Sequence, residues 1–131
     1  MPELMPEAAL TGYADALTAK DMTSVLAIFS RRSLLELPMM KPGRLVGLRE
    51  IEDAHQAIFR SLESIEIKLG DTAADASHAI ATGTVSITRT SGEQRTDELA
   101  IVAETGDTGL DRISLYMDAR NARAWSDIKV V

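Results

Sequence analysis

One acidic residue near the end of the chain stands in a sequence context that suits acid–base chemistry. The segment from Asp111 to Asp118 alternates apolar and polar side chains, which is typical of a half-buried β-strand. In strict alternation Ile113 and Leu115 take one face, whereas Tyr116 and Asp118 take the other. A carboxylate in a cavity lined by Leu and Met is poorly solvated, so we expect a raised pKa and proton transfer near neutral pH. Asp118 is therefore the first candidate for a general acid or base.

Asp118 also has a structural interpretation. Its carboxylate could cap the end of the strand or form an ion pair with Arg120 or Arg123, and ion pairs shift pKa values as well. A carboxylate that faces an open cavity would support catalysis, whereas a carboxylate held by either arginine would support a structural role.

Tyr13 is the second candidate catalytic residue. Residues 7–20 carry apolar side chains at three- and four-residue steps, which predicts a helix with Leu10, Tyr13, Ala14 and Leu17 on one face. The Tyr13 hydroxyl could orient a substrate oxygen while the ring packs in the core. Alternatively, it could bond to a neighbouring carbonyl, because buried polar groups need partners.

The remaining candidate site residues are expected to line a ligand pocket. They are Leu17, Leu37, Met39, Met40, His55, Ile58, Tyr116 and Trp125. His55 has a pKa range suited to acid–base work, but a lone His on the flank of a helix is more often solvated or satisfied structurally. Trp125 could cover the mouth of the pocket, pack on the sheet or stack on a ligand.

Length and composition limit the classes of protein that this chain can represent. Its 131 residues suit one domain, and its net charge of -6 with scattered basic residues argues against nucleic acid or an anionic membrane as partner. With no Cys and two His, there is little basis for a metal centre, and we expect no cofactor. No apolar run approaches the roughly 18 residues of a spanning helix, and the start lacks the basic residues of a signal peptide. We therefore expect a cytoplasmic protein.

Sequence periodicity predicts the order helix, helix, strand, helix and then a four-stranded meander. The predicted helices cover 7–20, a short segment through 25–29, and 48–62; the predicted strands cover 33–37, 65–69, 79–90, 95–104 and 111–118. Residues 70–77 are predicted to form a connection. This order favours an α+β fold in which a curved, mostly antiparallel sheet wraps three helices and leaves a conical pocket between them.

The order and spacing of these segments resemble the nuclear-transport-factor-2-like superfamily, in particular its SnoaL-like bacterial members. The resemblance rests on residues 13–17 with Lys20-Asp21, and on residues 25–29, 35–38, 47–51 and 112–118. It implies one cone-shaped domain over residues 1–131, a hydrophobic small molecule as ligand, and a homodimer formed through the convex face of the sheet.

Ketosteroid isomerases of this superfamily allow a comparison at individual positions. The resemblance implies that Tyr13 matches their catalytic helix Tyr. However, Leu37 stands at the position of their base, directly before Pro38, and roughly Ala100 stands at the position of their second acid. Steroid-type isomerisation is therefore not expected.

Limonene-epoxide-hydrolase-like enzymes give a second comparison. Asp118 matches the Asp on their last strand, but their Arg-x-Asp pair should fall near residues 85–88, where this chain has neither residue. Arg95-Thr96-Asp97 spells the same motif beyond the hairpin, and we interpret it as a coincidence.

Together these observations predict a small cofactor-independent enzyme of isomerase, hydrolase or cyclase type that acts by acid–base chemistry on a hydrophobic small molecule. The alternative is a non-catalytic dimeric module of the same fold that binds a small ligand or another protein. A third possibility is an accessory subunit that supports the fold of a larger enzyme.

Overall fold

The computed structural model describes residues 5–38 and 43–117 as three helices and six strands. The helices are α1 (Pro6–Ala19), α2 (Met22–Ile28) and α3 (Gly47–Ser61). The strands are β1 (Leu34–Glu36), β2 (Arg44–Val46), β3 (Leu62–Ala74), β4 (His78–Arg89), β5 (Gln94–Gly106) and β6 (Gly109–Met117).

The ends of the first two helices follow from local sequence. Pro6 occupies the first turn of α1, where a missing backbone N–H costs nothing. The helix ends at Lys20, which adopts a left-handed conformation and donates from its Nζ to the Leu62 carbonyl oxygen. Asp21 then caps α2, because its carboxylate accepts a hydrogen bond from the Ser24 backbone N–H.

The six strands form one curved, unclosed sheet in the order β2-β1-β6-β5-β4-β3. Strands β3 to β6 form the predicted antiparallel meander, and β1 joins it in parallel beside β6, with Leu35 opposite Ile113. The fold class predicted from the sequence is confirmed. The short strand β2 was not predicted, because its three residues follow directly on Pro42-Gly43, a pair that favours a loop.

We call the face of the sheet that packs against the helices the inner face. Its buried residues include Leu35, Leu45, Ile65, Ile67, Ala79, Ala81, Val85, Ile87, Leu99, Ile101, Ala103, Ile113 and Leu115. These aliphatic side chains form one core with the apolar face of α1 and with Ile51, Ala54 and Ile58 of α3. The opposite, outer face carries the alternate residues of the same strands.

The boundary of β3 differs from its prediction. The segment 70–77, expected to be a connection, continues the strand as far as Ala74, and only Asp75 to Ser77 form a turn. A register shift between Leu69 and Thr72 accommodates Gly70 and Asp71 as a bulge, so turn-forming residues lie inside a strand.

Among the described residues, no helix is long and apolar enough to cross a membrane.

Candidate active site

Tyr13 is fully buried in the described core. Its side chain projects from α1, has no solvent-accessible surface, and packs edge-on against the ring of Phe29 at 5.6 Å between ring centroids. The helical spacing that predicted an apolar face for α1 is therefore confirmed, since Leu10, Ala14 and Leu17 are buried with Tyr13.

The hydroxyl of Tyr13 is bonded to His55 of α3, with 2.8 Å between the Tyr13 oxygen and His55 Nε2. The other ring nitrogen, Nδ1, lies 2.6 Å from the carbonyl oxygen of Ile51, one turn earlier in α3. A carbonyl only accepts hydrogen bonds, so Nδ1 carries the proton and Nε2 of the neutral ring accepts. The Tyr13 hydroxyl is therefore the donor to His55.

Burial keeps both members of this pair neutral. It lowers the pKa of His55 from 6.5 to about 4, although the hydrogen bond to the Ile51 carbonyl acts in the opposite direction. It also raises the pKa of Tyr13 well above the usual range of a phenol. The rings of Phe29 and Phe59, at 6.5 Å and 6.0 Å from His55, complete an apolar surrounding. The pair thus joins a neutral acid to a neutral base in a medium that disfavours charge.

This geometry changes the chemistry expected of Tyr13. Because the hydroxyl proton is bonded to His55, the lone pairs of the Tyr13 oxygen are what a ligand would meet first. Tyr13 can give its proton to a ligand oxygen only after the bond to His55 breaks. With that bond intact, the Tyr13 oxygen can accept a proton from the ligand while its own hydroxyl proton moves to Nε2 of His55, and the reverse transfer returns both protons. Because His55 is buried, the interpretation of this residue as a solvated side chain on the flank of a helix is wrong.

The structure places several predicted pocket residues in the core that contains Tyr13. Leu17, Leu37 and Ile58 are all buried in the same cluster as Tyr13. Met39, Met40, Asp118 and Trp125 lie outside the described residues, as do Arg120 and Arg123. The assignments made for them remain predictions.

Tyr116 does not line the space between sheet and helices, contrary to expectation. It follows buried Leu115 on β6 and lies on the outer face, with 47% of its surface exposed. There it borders a groove of about 770 Å³ together with Thr82, Thr84 and Glu98. The prediction fails because strand alternation fixes which residues share a face, but not which of the two faces meets the helices. The same alternation was the argument for placing Asp118 in the cavity, so it no longer supports that placement; Asp118 itself lies outside the described residues.

The outer face also holds Ala100, the residue matched to the second acid of the isomerases. Ala100 pairs with Thr82 and Tyr116, so the side chains that β5 directs inward on either side of it are Leu99 and Ile101. Both are aliphatic, so among the described residues β5 supplies no second acid at this level of the inner face.

The interpretation of the Arg95-Thr96-Asp97 motif as a coincidence is not supported by its position on β5. Arg95 pairs with Ile87 and Asp97 pairs with Val85, and both partners are buried on the inner face. Directly paired residues share a face, so Arg95 and Asp97 also point inward, next to the positions where the motif was sought. Pairing the residues on the two sides of the hairpin at 90–93 would have shown from the sequence that Arg95 and Asp97 share the face of Ile87 and Val85.

No group of three His, Asp or Glu side chains that could hold a metal ion occurs in the part of the chain that the structure describes.

Comparison with known proteins identifies the family. The SnoaL-like domain family matches residues 10–107, which is more than half of the chain. The chain belongs to the SnoaL-like domain family. No curated protein sequence matches it.

Solved structures with this SnoaL-like fold have little sequence identity to the chain. An NTF2-like protein of unknown function from Burkholderia pseudomallei superposes with a TM-score of 0.79 at 14% identity, covering 92% of this chain and 95% of its own. TerC, crystallised with polyporic acid, superposes with a TM-score of 0.74 at 15% identity, and the match covers 89% of this chain and 94% of TerC. An LEH-like epoxide hydrolase from Mycobacterium tuberculosis superposes with a TM-score of 0.71 at 16% identity, and the match covers 89% of this chain and 86% of the hydrolase. At these identities the similarities establish the NTF2-like fold.

Proposed function

We propose that this protein is a small cofactor-independent enzyme that performs acid–base chemistry on an apolar small molecule held between the helices and the inner face. The observation that carries the proposal is the hydrogen bond between Tyr13 and His55. A neutral acid and a neutral base, joined at 2.8 Å within an aliphatic interior, form a unit that can pass a proton to and from a substrate oxygen.

The family context supports the same class of chemistry. One neighbour of this fold is an LEH-like epoxide hydrolase, and another was crystallised with the small molecule polyporic acid. In the proposed reaction of isomerase, hydrolase or cyclase type, Asp118 is the general acid or base, on its match to the last-strand Asp of limonene-epoxide-hydrolase-like enzymes, and Tyr13 orients the reacting oxygen.

Access to the Tyr13–His55 pair requires a covering side chain to move, because neither residue has solvent-accessible surface. Phe59 is partly exposed and its ring lies 6.0 Å from that of His55. We assign Phe59 to the route by which a ligand reaches the pair.

Activity toward a panel of epoxides and enolisable ketones tests the proposal. We expect Asp118→Asn to lower turnover by about 100-fold or more, the usual contribution of a general acid or base. Tyr13→Phe should also lower turnover, because it removes the hydroxyl and leaves His55 Nε2 without a donor. Asp15→Asn, an exposed carboxylate on α1, is the matched control and should turn over like the wild type. Unchanged turnover in Asp118→Asn would exclude Asp118 from catalysis.

A non-catalytic ligand-binding module is the second candidate function. It is favoured by Leu37, which is buried where ketosteroid isomerases have their base, and by the aliphatic Leu99 and Ile101 on β5. Saturable binding of panel members without turnover would support this module and contradict the enzyme.

The protein is further proposed to form a homodimer through the outer face of the sheet. Ile80 and Tyr116 are large hydrophobic residues that are 45% and 47% exposed there, beside Ala100 and Val102. Light scattering at micromolar concentration should give twice the chain mass, and Tyr116→Lys should give a monomer. Met5→Lys, at an exposed apolar residue before α1, should leave the dimer intact. A monomeric wild type would contradict the proposal.

A further inference from the structure

Strand β5 changes character along its inward-facing side. From Ala103 through Ile101 to Leu99 these side chains are aliphatic and buried, and the next two in alternation are Asp97 and Arg95. Their cross-strand partners, Val85 and Ile87, are also buried. A charged pair therefore continues an aliphatic wall, on the side of the sheet where charged residues are least expected.

Asp97 satisfies only part of the hydrogen-bonding capacity of the Arg95 guanidinium. Only one contact joins them, 3.5 Å from Arg95 Nη2 to an Asp97 carboxylate oxygen, and about a quarter of each side chain is accessible, 28% and 27%. The Nε of Arg95 is buried and has no hydrogen-bond partner among the described residues. A buried donor without an acceptor is costly, so this N–H marks a position where an acceptor oxygen would be stabilised.

We propose that Arg95 binds the oxygen of the ligand, an apolar molecule that carries a carbonyl-type oxygen, either of a ketone or of a carboxylate. The Nε–H and Nη2–H groups of a guanidinium lie along one edge, and both can donate hydrogen bonds to such an oxygen. The hydrocarbon part would lie on the aliphatic residues of the same wall, beginning with Leu99. Asp97 offsets the charge of Arg95, so a neutral ketone also fits. This inference rests on the proposed function, because it names the class of molecule that occupies the inner space.

Three probes with one hydrocarbon frame test the inference: 1-tetralone, 1,2,3,4-tetrahydro-1-naphthoate and tetralin. Each is titrated into the 15N-labelled full-length chain and followed by NMR, including the Arg95 Nε–Hε signal. We expect the ketone, the carboxylate or both to bind about tenfold more tightly than tetralin, and to shift that signal. The two oxygen-bearing arms distinguish a neutral from a charged ligand.

Substitution separates the role of Arg95 from a general effect of charge. In Arg95→Met the advantage of the oxygen-bearing probes over tetralin should disappear, while tetralin binds within about twofold of its wild-type Kd. Arg95→Lys keeps the charge opposite Asp97 but lacks the Nε–H, so the oxygen-bearing probes should lose most of their advantage over tetralin. This variant also provides the test if Arg95→Met does not fold. Arg49→Met, at an exposed arginine of α3, should keep the full advantage.

Two results would overturn the inference and leave the proposed function intact. One is equal binding of all three probes to the wild type; the other is an advantage that survives in Arg95→Met and Arg95→Lys. If none of the three probes binds, the inner space is not a small-molecule site, and the proposed function is overturned together with this inference.

Discussion

Acidification from pH 6.5 to pH 4 is expected to remove about 3 kcal/mol from the free energy of unfolding through one residue, His55. In the unfolded chain His55 binds a proton at its ordinary pKa near 6.5, whereas in the folded protein burial lowers its pKa to about 4. Between these values the unfolded state holds more protons, so stability falls as the pH falls. Well above pH 6.5 the ring is neutral in both states, and well below pH 4 it is charged in both states and the loss is complete.

Urea denaturation at half-unit steps from pH 4 to pH 7 measures this loss. The variant His55→Gln cannot titrate, so its stability should be lower at pH 7 but should lack this part of the pH dependence. His78→Gln removes an exposed histidine and should keep the pH dependence of the wild type. Parallel pH curves for the wild type and His55→Gln would show that His55 is not buried as a neutral ring.

The substitution Gly83→Ala is expected to lower the free energy of unfolding by about 3 kcal/mol, which is a large effect for one methyl group. A Cβ at this position would overlap the carbonyl oxygen of Lys68 and would lie 3.0 Å from the Cα of Leu69. Both obstacles are backbone atoms, so relief requires β3 and β4 to move apart. Gly83 pairs with Leu69, next to the register shift of β3.

Gly70→Ala is the matched control, since Gly70 lies in the bulge of β3 directly after Leu69, the residue that pairs with Gly83. Its Cβ would stand 3.4 Å from the Thr82 carbonyl oxygen, an ordinary contact, so we expect a change within about 0.5 kcal/mol. Equal stabilities of the two variants in thermal and urea denaturation would show that β3 and β4 are not in close contact at Gly83.

Local periodicity accounts for the part of the fold that was predictable. The apolar positions of α1 and α3 recur with the helical period, and Ala79, Ala81, Val85 and Ile87 recur with the strand period, and each set is buried as expected. These patterns depend only on neighbours in the sequence. The family resemblance added the sheet that wraps the helices.

The candidate site was harder to predict, because its contacts join distant parts of the chain. Tyr13 and His55 are 42 positions apart, and no local pattern shows that their side chains meet. The inward direction of Arg95 and Asp97 follows only from the register of β4 with β5. Tyr116 shows the complementary difficulty, since its strand was predicted correctly but its face was not.

The protonation state of His55 gives the most direct test of the central claim, that Tyr13 and His55 form a neutral acid–base pair. Long-range 1H–15N NMR of the histidine rings between pH 4 and pH 8 measures it. We predict that Nδ1 carries the proton at pH 7, that Nε2 is an acceptor whose resonance shifts in Tyr13→Phe, and that the ring charges only near pH 4. A proton on Nε2 at pH 7, or titration near 6.5, would contradict the account.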